Sequence, residues 1–229
     1  MCGRFTLRTP ASQPVQQFLL DVDSQLTPRF NIAPTQRVAA VRQQDGARQL
    51  VGLRWGMIPS WAKDASVGSR MINARGETVA SKPSFRSALK RRRCLVLADG
   101  YYEWKKEGSQ KHPYFIRLRD DQPFAFAGLW EAWQDPMAEK GDPPRETCTI
   151  ITTDANELSA SIHDRMPVIL DAADHELWLD PDLQEAAPLQ PLLRPYPSGE
   201  MTADPVSTHV NKPAHDDPRC VEIQRTLFD

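Results

Sequence analysis

An α+β fold, built as one domain around a mostly antiparallel, β-barrel-like core with a few flanking helices, is predicted by three observations. Strand-like runs dominate the 229 residues, helical periodicity is confined to short stretches, and the two do not alternate as strand–helix–strand units. The first strands are expected at residues 37–42 and 49–54, two strand-like runs. Further strands are expected at 94–99, 114–118, 123–130, 147–153 and 167–170, and a last one near 221–224. The run 106–111, with Gly108 and Ser109 at its centre, reads as a hairpin loop. Helices are expected at 13–20, at 84–92 and after Asp171, a suitable N-cap residue for a helix carrying Leu177. In the second of these, Phe85, Ala88 and Leu89 share one face, and Arg86, Lys90 and Arg91 lie elsewhere. Prolines crowd 136–144, a surface loop, and 181–218, an irregular return within the single domain 1–229.

With 40% hydrophobic and 25% charged residues, the chain can fill one core, and wholesale disorder is excluded. Net charge is −2, yet its distribution is uneven. Residues 1–119 hold 21 Lys and Arg against 8 Asp and Glu; residues 120–229 hold 7 against 22. A basic surface follows if the first half forms most of one face. The four cysteines, Cys2, Cys94, Cys148 and Cys220, include no C-x-x-C pair, so no metal or other cofactor is assigned. Cys94 and Cys148 lie in apolar runs and read as core. No apolar stretch suits a signal peptide or a membrane span, so free thiols in a reducing, cytoplasmic compartment are expected, nucleoid-associated if the source is bacterial.

The first chemical signal is Cys2, followed by Gly3. Removal of Met1, favoured by a small second residue, leaves a free α-amine and a thiol on one residue. The amine titrates near 7.7–8.0 and the thiol near 8.5 unless perturbed. Such a 1,2-aminothiol captures an aldehyde: the amine forms a Schiff base, and the thiol closes on the same carbon to give a thiazolidine. Elsewhere, Asn73 can accept an amine N–H through its side-chain oxygen, and Arg75 can grip a phosphate with a bidentate fork. Glu103 ends an apolar strand among aromatic residues, where partial desolvation raises a carboxyl pKa and suits it to donate a proton. His163, between residues 161 and 167, can shuttle protons near neutral pH, and Arg165 is a second phosphate ligand candidate. Trp55 lies on a strand and reads as core; Trp61, after Pro59 in a loop, can stack on a base of single-stranded DNA.

Six segments in one order resemble the SRAP family, the SOS-response-associated peptidase or abasic-site processing proteins. They are Cys2-Gly3-Arg4-Phe5, Asn31-Ile32-Ala33-Pro34, Trp55-Gly56-Met57-Ile58-Pro59-Ser60-Trp61, Ile72-Asn73-Ala74-Arg75-Gly76-Glu77, Ala98-Asp99-Gly100-Tyr101-Tyr102-Glu103-Trp104 and Ile162-His163-Asp164-Arg165-Met166-Pro167. Asp204-Pro205-Val206-Ser207 and Val210-Asn211-Lys212 resemble the family's C-terminal pattern. The resemblance implies a positively charged groove for single-stranded DNA and a thiazolidine crosslink between Cys2 and the ring-opened sugar of an abasic site. It implies that Asn73 orients the Cys2 amine, Glu103 acts as general acid–base and His163 assists proton transfer. Arg4, Arg75 and Arg165 are implied as phosphate contacts, Asn31, Pro34 and Trp61 as groove residues, and Arg86 as a contact from the basic helix. The expected partner is abasic single-stranded DNA, and the expected protein is a monomer with no membrane and no metal. Two rivals stay open: a cysteine peptidase or Schiff-base lyase using the same residues, and a non-covalent binder of single-stranded DNA in which Cys2 has no role.

Overall fold

The computed structural model describes residues 2–9, 18 and 26–224. The strands in chain order are β1 (Phe5–Leu7), β2 (Arg29–Ile32), β3 (Arg37–Gln44), β4 (Ala47–Trp55), β5 (Asn73–Arg75), β6 (Arg93–Ala98), β7 (Gly100–Glu107), β8 (Gln110–Leu118), β9 (Phe124–Trp133), β10 (Arg145–Asp154), β11 (Arg165–Pro167), β12 (Ile169–Leu170) and β13 (Met201–Pro205). One sheet has the order β13-β8-β7-β1-β2; the other runs β11-β10-β4-β3-β6-β9-β12, with β5 added beside β10. Because β9 also pairs with β10, the second sheet is ring-like without closing as a barrel. Most pairings are antiparallel. The exceptions are β10 with β4 and β10 with β5, which are parallel.

Local chemistry explains several elements. Strands β3 and β4 run past the predicted bounds and meet at Gln44↔Ala47, closed by Asp45 and Gly46 at φ 53° and 80°. That Asp-Gly pair is the two-residue turn whose twist matches the strands. The loop expected at 106–111 is likewise tighter: β7 and β8 pair through Glu107↔Gln110 across Gly108, φ +60°. Strands β9 and β10 are buried along most of their length, in keeping with the apolar run of β9 and the Cys148, Ile150 and Ile151 side chains of β10.

Helix α1 (Arg86–Arg91) buries Ala88 and Leu89 and leaves Arg86, Lys90 and Arg91 exposed, as its periodicity predicts. Helix α2 (Glu157–Ala160) is capped by Asn156, whose side chain accepts from the Ser159 N–H. Asp171 precedes a 3-10 turn rather than an α-helix and makes no side-chain cap; its carboxylate receives Arg194 at 3.1 Å, and α3 (His175–Leu179) follows the turn. The helix expected at 13–20 lies outside the described residues, apart from Phe18, which is buried. Two expectations near the carboxy terminus are corrected. The segment 181–218 is not wholly irregular, since β13 adds to the edge of β8 from Met201↔Leu118 to Pro205↔Tyr114. The strand near 221–224 reduces to one bridge, Val206↔Ile223, because Asp217 and Pro218 open a 3-10 turn that runs to Val221.

The main core lies between the sheets beneath the amino terminus. Phe5 meets Trp55 edge-on at 5.1 Å and Phe126 at 5.7 Å, and Tyr101 meets Phe126 at 6.2 Å. Cys94, Cys148 and Trp55 are fully buried, in keeping with their reading as core residues.

Candidate functional site at the amino terminus

Two pairings assemble the site from distant parts of the chain. Strand β1 lies antiparallel to β7, with Phe5↔Tyr101 and Thr6↔Gly100, and the Tyr102 N–H donates to the Arg4 carbonyl at 2.9 Å. Continuing that register upstream sets Gly3 opposite Glu103, next to Cys2, and the Glu103 charge acts on the Cys2 thiol. Strand β10 supplies the other half. Its residues Ile150, Ile151 and Thr152 pair with Asn73, Ala74 and Arg75, and Thr152 to Asp154 pair with Pro167 to Arg165 on the opposite edge. Asn73, Arg75 and Arg165, separated by 92 positions or fewer in the chain, thus flank one strand end.

Asn73 Nδ2 donates to the Cys2 carbonyl at 2.8 Å. Its Oδ1, the atom expected to hold the amine, is buried and has no hydrogen-bond partner among the described residues. Cys2 is fully buried. Burial, and then the Glu103 charge, push its thiol well above the usual thiol range, against the amino-terminal charge and the Arg4 N–H. Glu103 is 4% exposed, and burial raises its carboxyl to about 7 although the amino-terminal charge pulls the other way.

His163 accepts the Arg165 N–H at Nδ1, 3.0 Å away. The same nitrogen lies 2.9 Å from an Asp164 carboxylate oxygen, but it cannot serve as acceptor and donor at once. Burial and the amino-terminal charge lower the His163 pKa more than Asp164 raises it, which favours the neutral ring with its proton on Nε2. Glu103 and His163 line one open cavity of about 510 Å³ together with Trp104, Lys111 and Asn211. Trp104 Nε1 donates to Asn211 Oδ1 at 2.8 Å, and the Arg4 guanidinium lies 5.7 Å from the Trp104 ring. Sequence reasoning missed these three lining residues as site residues. Trp104 and Asn211 stand inside two of the recognised segments, whereas Lys111 carries no local signal.

The remaining residues fall into two groups. Arg4 and Asn31 are internal ties: Arg4 Nη1 donates to Asn31 Oδ1 at 2.7 Å and to the Val210 carbonyl at 2.8 Å. Asn31, fully buried, donates to the Val210, Lys212 and His215 carbonyls. Arg165 is engaged by carboxylates, with Glu77 gripping both of its terminal nitrogens, Asp154 at 2.7 Å and the Thr152 carbonyl at 2.8 Å. By contrast, Arg75, Arg86 and Trp61 are exposed, Trp61 by 61%. Pro34 is half-buried after β2, and it, Trp61 and Arg86 lie outside the residues that line the cavity.

The sequence pattern of the SOS response associated peptidase (SRAP) family matches residues 1–213. The chain is 44% identical over 226 residues to the abasic site processing protein YoqW of Bacillus subtilis, covering 97% of this chain and 99% of that protein. It is 37% identical over 205 residues to the abasic site processing protein HMCES of Gallus gallus, covering 78% of this chain and 60% of that longer protein. A crystal structure of a protein from Bacteroides thetaiotaomicron superposes with a TM-score of 0.87 at 30% identity, covering 98% of this chain and all of that one. On the extent of the family match and the identity to relatives along nearly its whole length, the chain belongs to the SOS response associated peptidase (SRAP) family.

Proposed function

We propose that this protein processes abasic sites in single-stranded DNA by forming a covalent thiazolidine through Cys2 once Met1 has been removed, and that it acts as a cytoplasmic monomer. The observation that carries the reading is the placement of Glu103. It is a buried carboxyl raised to about 7 that acts electrostatically on Cys2 and borders an open cavity with His163. The names of the relatives supply the substrate class.

An abasic sugar rests mainly as a closed hemiacetal. Protonated Glu103 donates to the ring oxygen while the anomeric hydroxyl releases its proton, which frees the aldehyde. The Cys2 α-amine, held through the Asn73 side chain, attacks the aldehyde carbon, and loss of water leaves the imine. Burial keeps the thiol protonated at neutral pH, so nitrogen is the first nucleophile. Sulfur then adds to the same carbon as its proton passes, through Glu103, to the imine nitrogen. The net change is aldehyde plus aminothiol to thiazolidine plus one water. His163, as a neutral ring, exchanges protons with the bound sugar, and Arg75 and Arg165 take phosphates on either side of β10.

Removal of Met1 by the chain itself is the second reading, because the buried Glu103 carboxyl acts on Cys2, the residue that follows Met1. A peptidase acting on other proteins is disfavoured by a thiol that burial holds protonated. The test is the intact mass of the Met1-free chain after incubation with an abasic single-stranded oligonucleotide. The expected product weighs the sum of both reactants less one water. Cys2→Ala gives no adduct, and Cys2→Ser gives at most a reversible imine. Absence of a stable adduct from the verified Met1-free protein overturns the reading, and strand nicking in its place points to a lyase.

A further inference from the structure

The last described turns of the chain, which Arg4 also reaches, gather three side chains of metal-ligand chemistry that the proposed reaction does not use. His209 lies in the 3-10 turn Thr208–Asn211, Asp217 caps the turn Pro218–Val221, and Cys220 is inside that turn. One ligand atom from each lies within 4.8 Å of the other two, and His209 Nε2 is 3.1 Å from Asp217 Oδ2. Around a tetrahedral ion with bonds of about 2.0–2.3 Å, neighbouring donors sit roughly 3.2–3.8 Å apart, so a small inward movement completes the geometry. A fourth donor is at hand, because the His215 carbonyl lies 3.3 Å from Cys220 Sγ. The His215 ring stacks on that of His209 at 3.9 Å and 14°, which fixes the plane of the ligating imidazole.

Access and selectivity suit the same conclusion. Cys220 is buried, whereas the His209 and Asp217 side chains are 18% and 31% exposed, so one side is open to an entering ion. A thiolate, an imidazole and a carboxylate together favour zinc and its neighbours over magnesium or calcium. The competing groups can move. Arg219 Nη2 holds Asp217 Oδ2 at 2.9 Å, but its side chain is 65% exposed and can turn to solvent.

We propose that His209, Asp217 and Cys220 bind a divalent ion of the zinc class, with the His215 carbonyl or a water in the fourth position. Binding releases the thiol proton to solvent. The ion stiffens the turn whose Val210 carbonyl holds Arg4 and Asn31, and whose Asn211 holds Trp104 at the cavity wall.

Cobalt(II) titration of the full chain, under argon with a non-thiol reductant, tests the site without reference to DNA. The expected result is tetrahedral visible bands with a thiolate-to-cobalt band, saturating at one ion per chain and erased by zinc. Cys220→Ser loses the thiolate band and Cys2→Ser keeps it. Asp217→Asn weakens binding at least tenfold. Should Cys220→Ser fail to fold, His209→Gln serves instead and also weakens binding at least tenfold. No thiolate band in the parent, its survival in Cys220→Ser, or unchanged affinity in His209→Gln overturns the site.

Discussion

Glu103 must be protonated to open the sugar, while the Cys2 amine must be unprotonated to attack it. The carboxyl stands at about 7 and a free α-amine near 7.7–8.0, so only a narrow interval serves both. The adduct-forming rate is therefore expected to be bell-shaped, falling above neutrality as Glu103 ionises and below it as the amine gains a proton. Glu103→Gln should lower that rate by about 10²–10⁴-fold and remove the alkaline fall assigned to the carboxyl, measured by quenched gel time courses from pH 5.5 to 9. The same group costs stability. Its folded-state value lies above its ordinary value of 4.5, so the folded state binds the proton more tightly. Its contribution is complete below about pH 4.5 and is lost as pH rises through about 7. In urea unfolding, Glu103→Gln should match the parent near pH 4 and exceed it at pH 8, by up to about 3 kcal/mol.

The short strand β1 brings Cys2 to the site, and three residues of pairing would not hold it alone. Asp99, fully buried at the β6–β7 corner, completes the attachment. Its carboxylate accepts from Thr6 Oγ1 at 2.6 Å, from the Thr9 N–H and hydroxyl at 2.7 Å each, and from the Arg8 N–H and Nε. Asp99→Ala leaves these donors buried without their acceptor. It should cost about 3–5 kcal/mol in urea unfolding and slow adduct formation as β1 frays. One position along, Gly100 has no room for a side chain, since an added Cβ would lie 2.3 Å from the Phe115 ring. Gly100→Ala should destabilise by about 1–3 kcal/mol or more in the same assay. At this scale the sequence was legible wherever the signal was local. The face of α1 and the apolar run of β9 are both written in adjacent residues. The expected strand at 221–224 failed because its pairing depended on a partner, Val206, that offers only one bridge.

Across the whole molecule, part of the charge imbalance between the two halves is tied up internally. Arg8 pairs with Asp121, Arg29 with Asp216, Arg42 with Glu146 and Arg92 with Glu131, each a cation of the basic half meeting an acid of the other. A basic stretch of sequence is therefore not the same as a basic face. Arg165 is in a similar state, since a phosphate must compete with Glu77 and Asp154 for it. Exposed Arg75 meets no such competitor among the hydrogen bonds and ion pairs described, although its charge helps depress the Glu77 carboxyl. Arg75→Ala should weaken binding to single-stranded DNA and flatten the slope of log affinity against log salt by about 0.7, measured by fluorescence anisotropy between 50 and 200 mM salt.

The sequence by itself determined the chemistry that resides in covalent structure and near neighbours. It specified an aminothiol latent at position 2, a carboxyl among aromatics at Glu103, the strand runs, and two core cysteines. Only the tertiary structure decided how those groups meet. It buried Cys2 against Glu103, turned the Asn73 amide so that its nitrogen holds the Cys2 carbonyl, and committed Arg165 to carboxylates. It also used Arg4 and Asn31 as ties to the carboxy-terminal turns, where His209, Asp217 and Cys220 converge. The physical reason is that β10 pairs with β4, β5, β9 and β11 at once, and β1 with β7, at separations no local pattern encodes. Desolvation, which sets the titration of Cys2 and Glu103, exists only after those strands have closed over them.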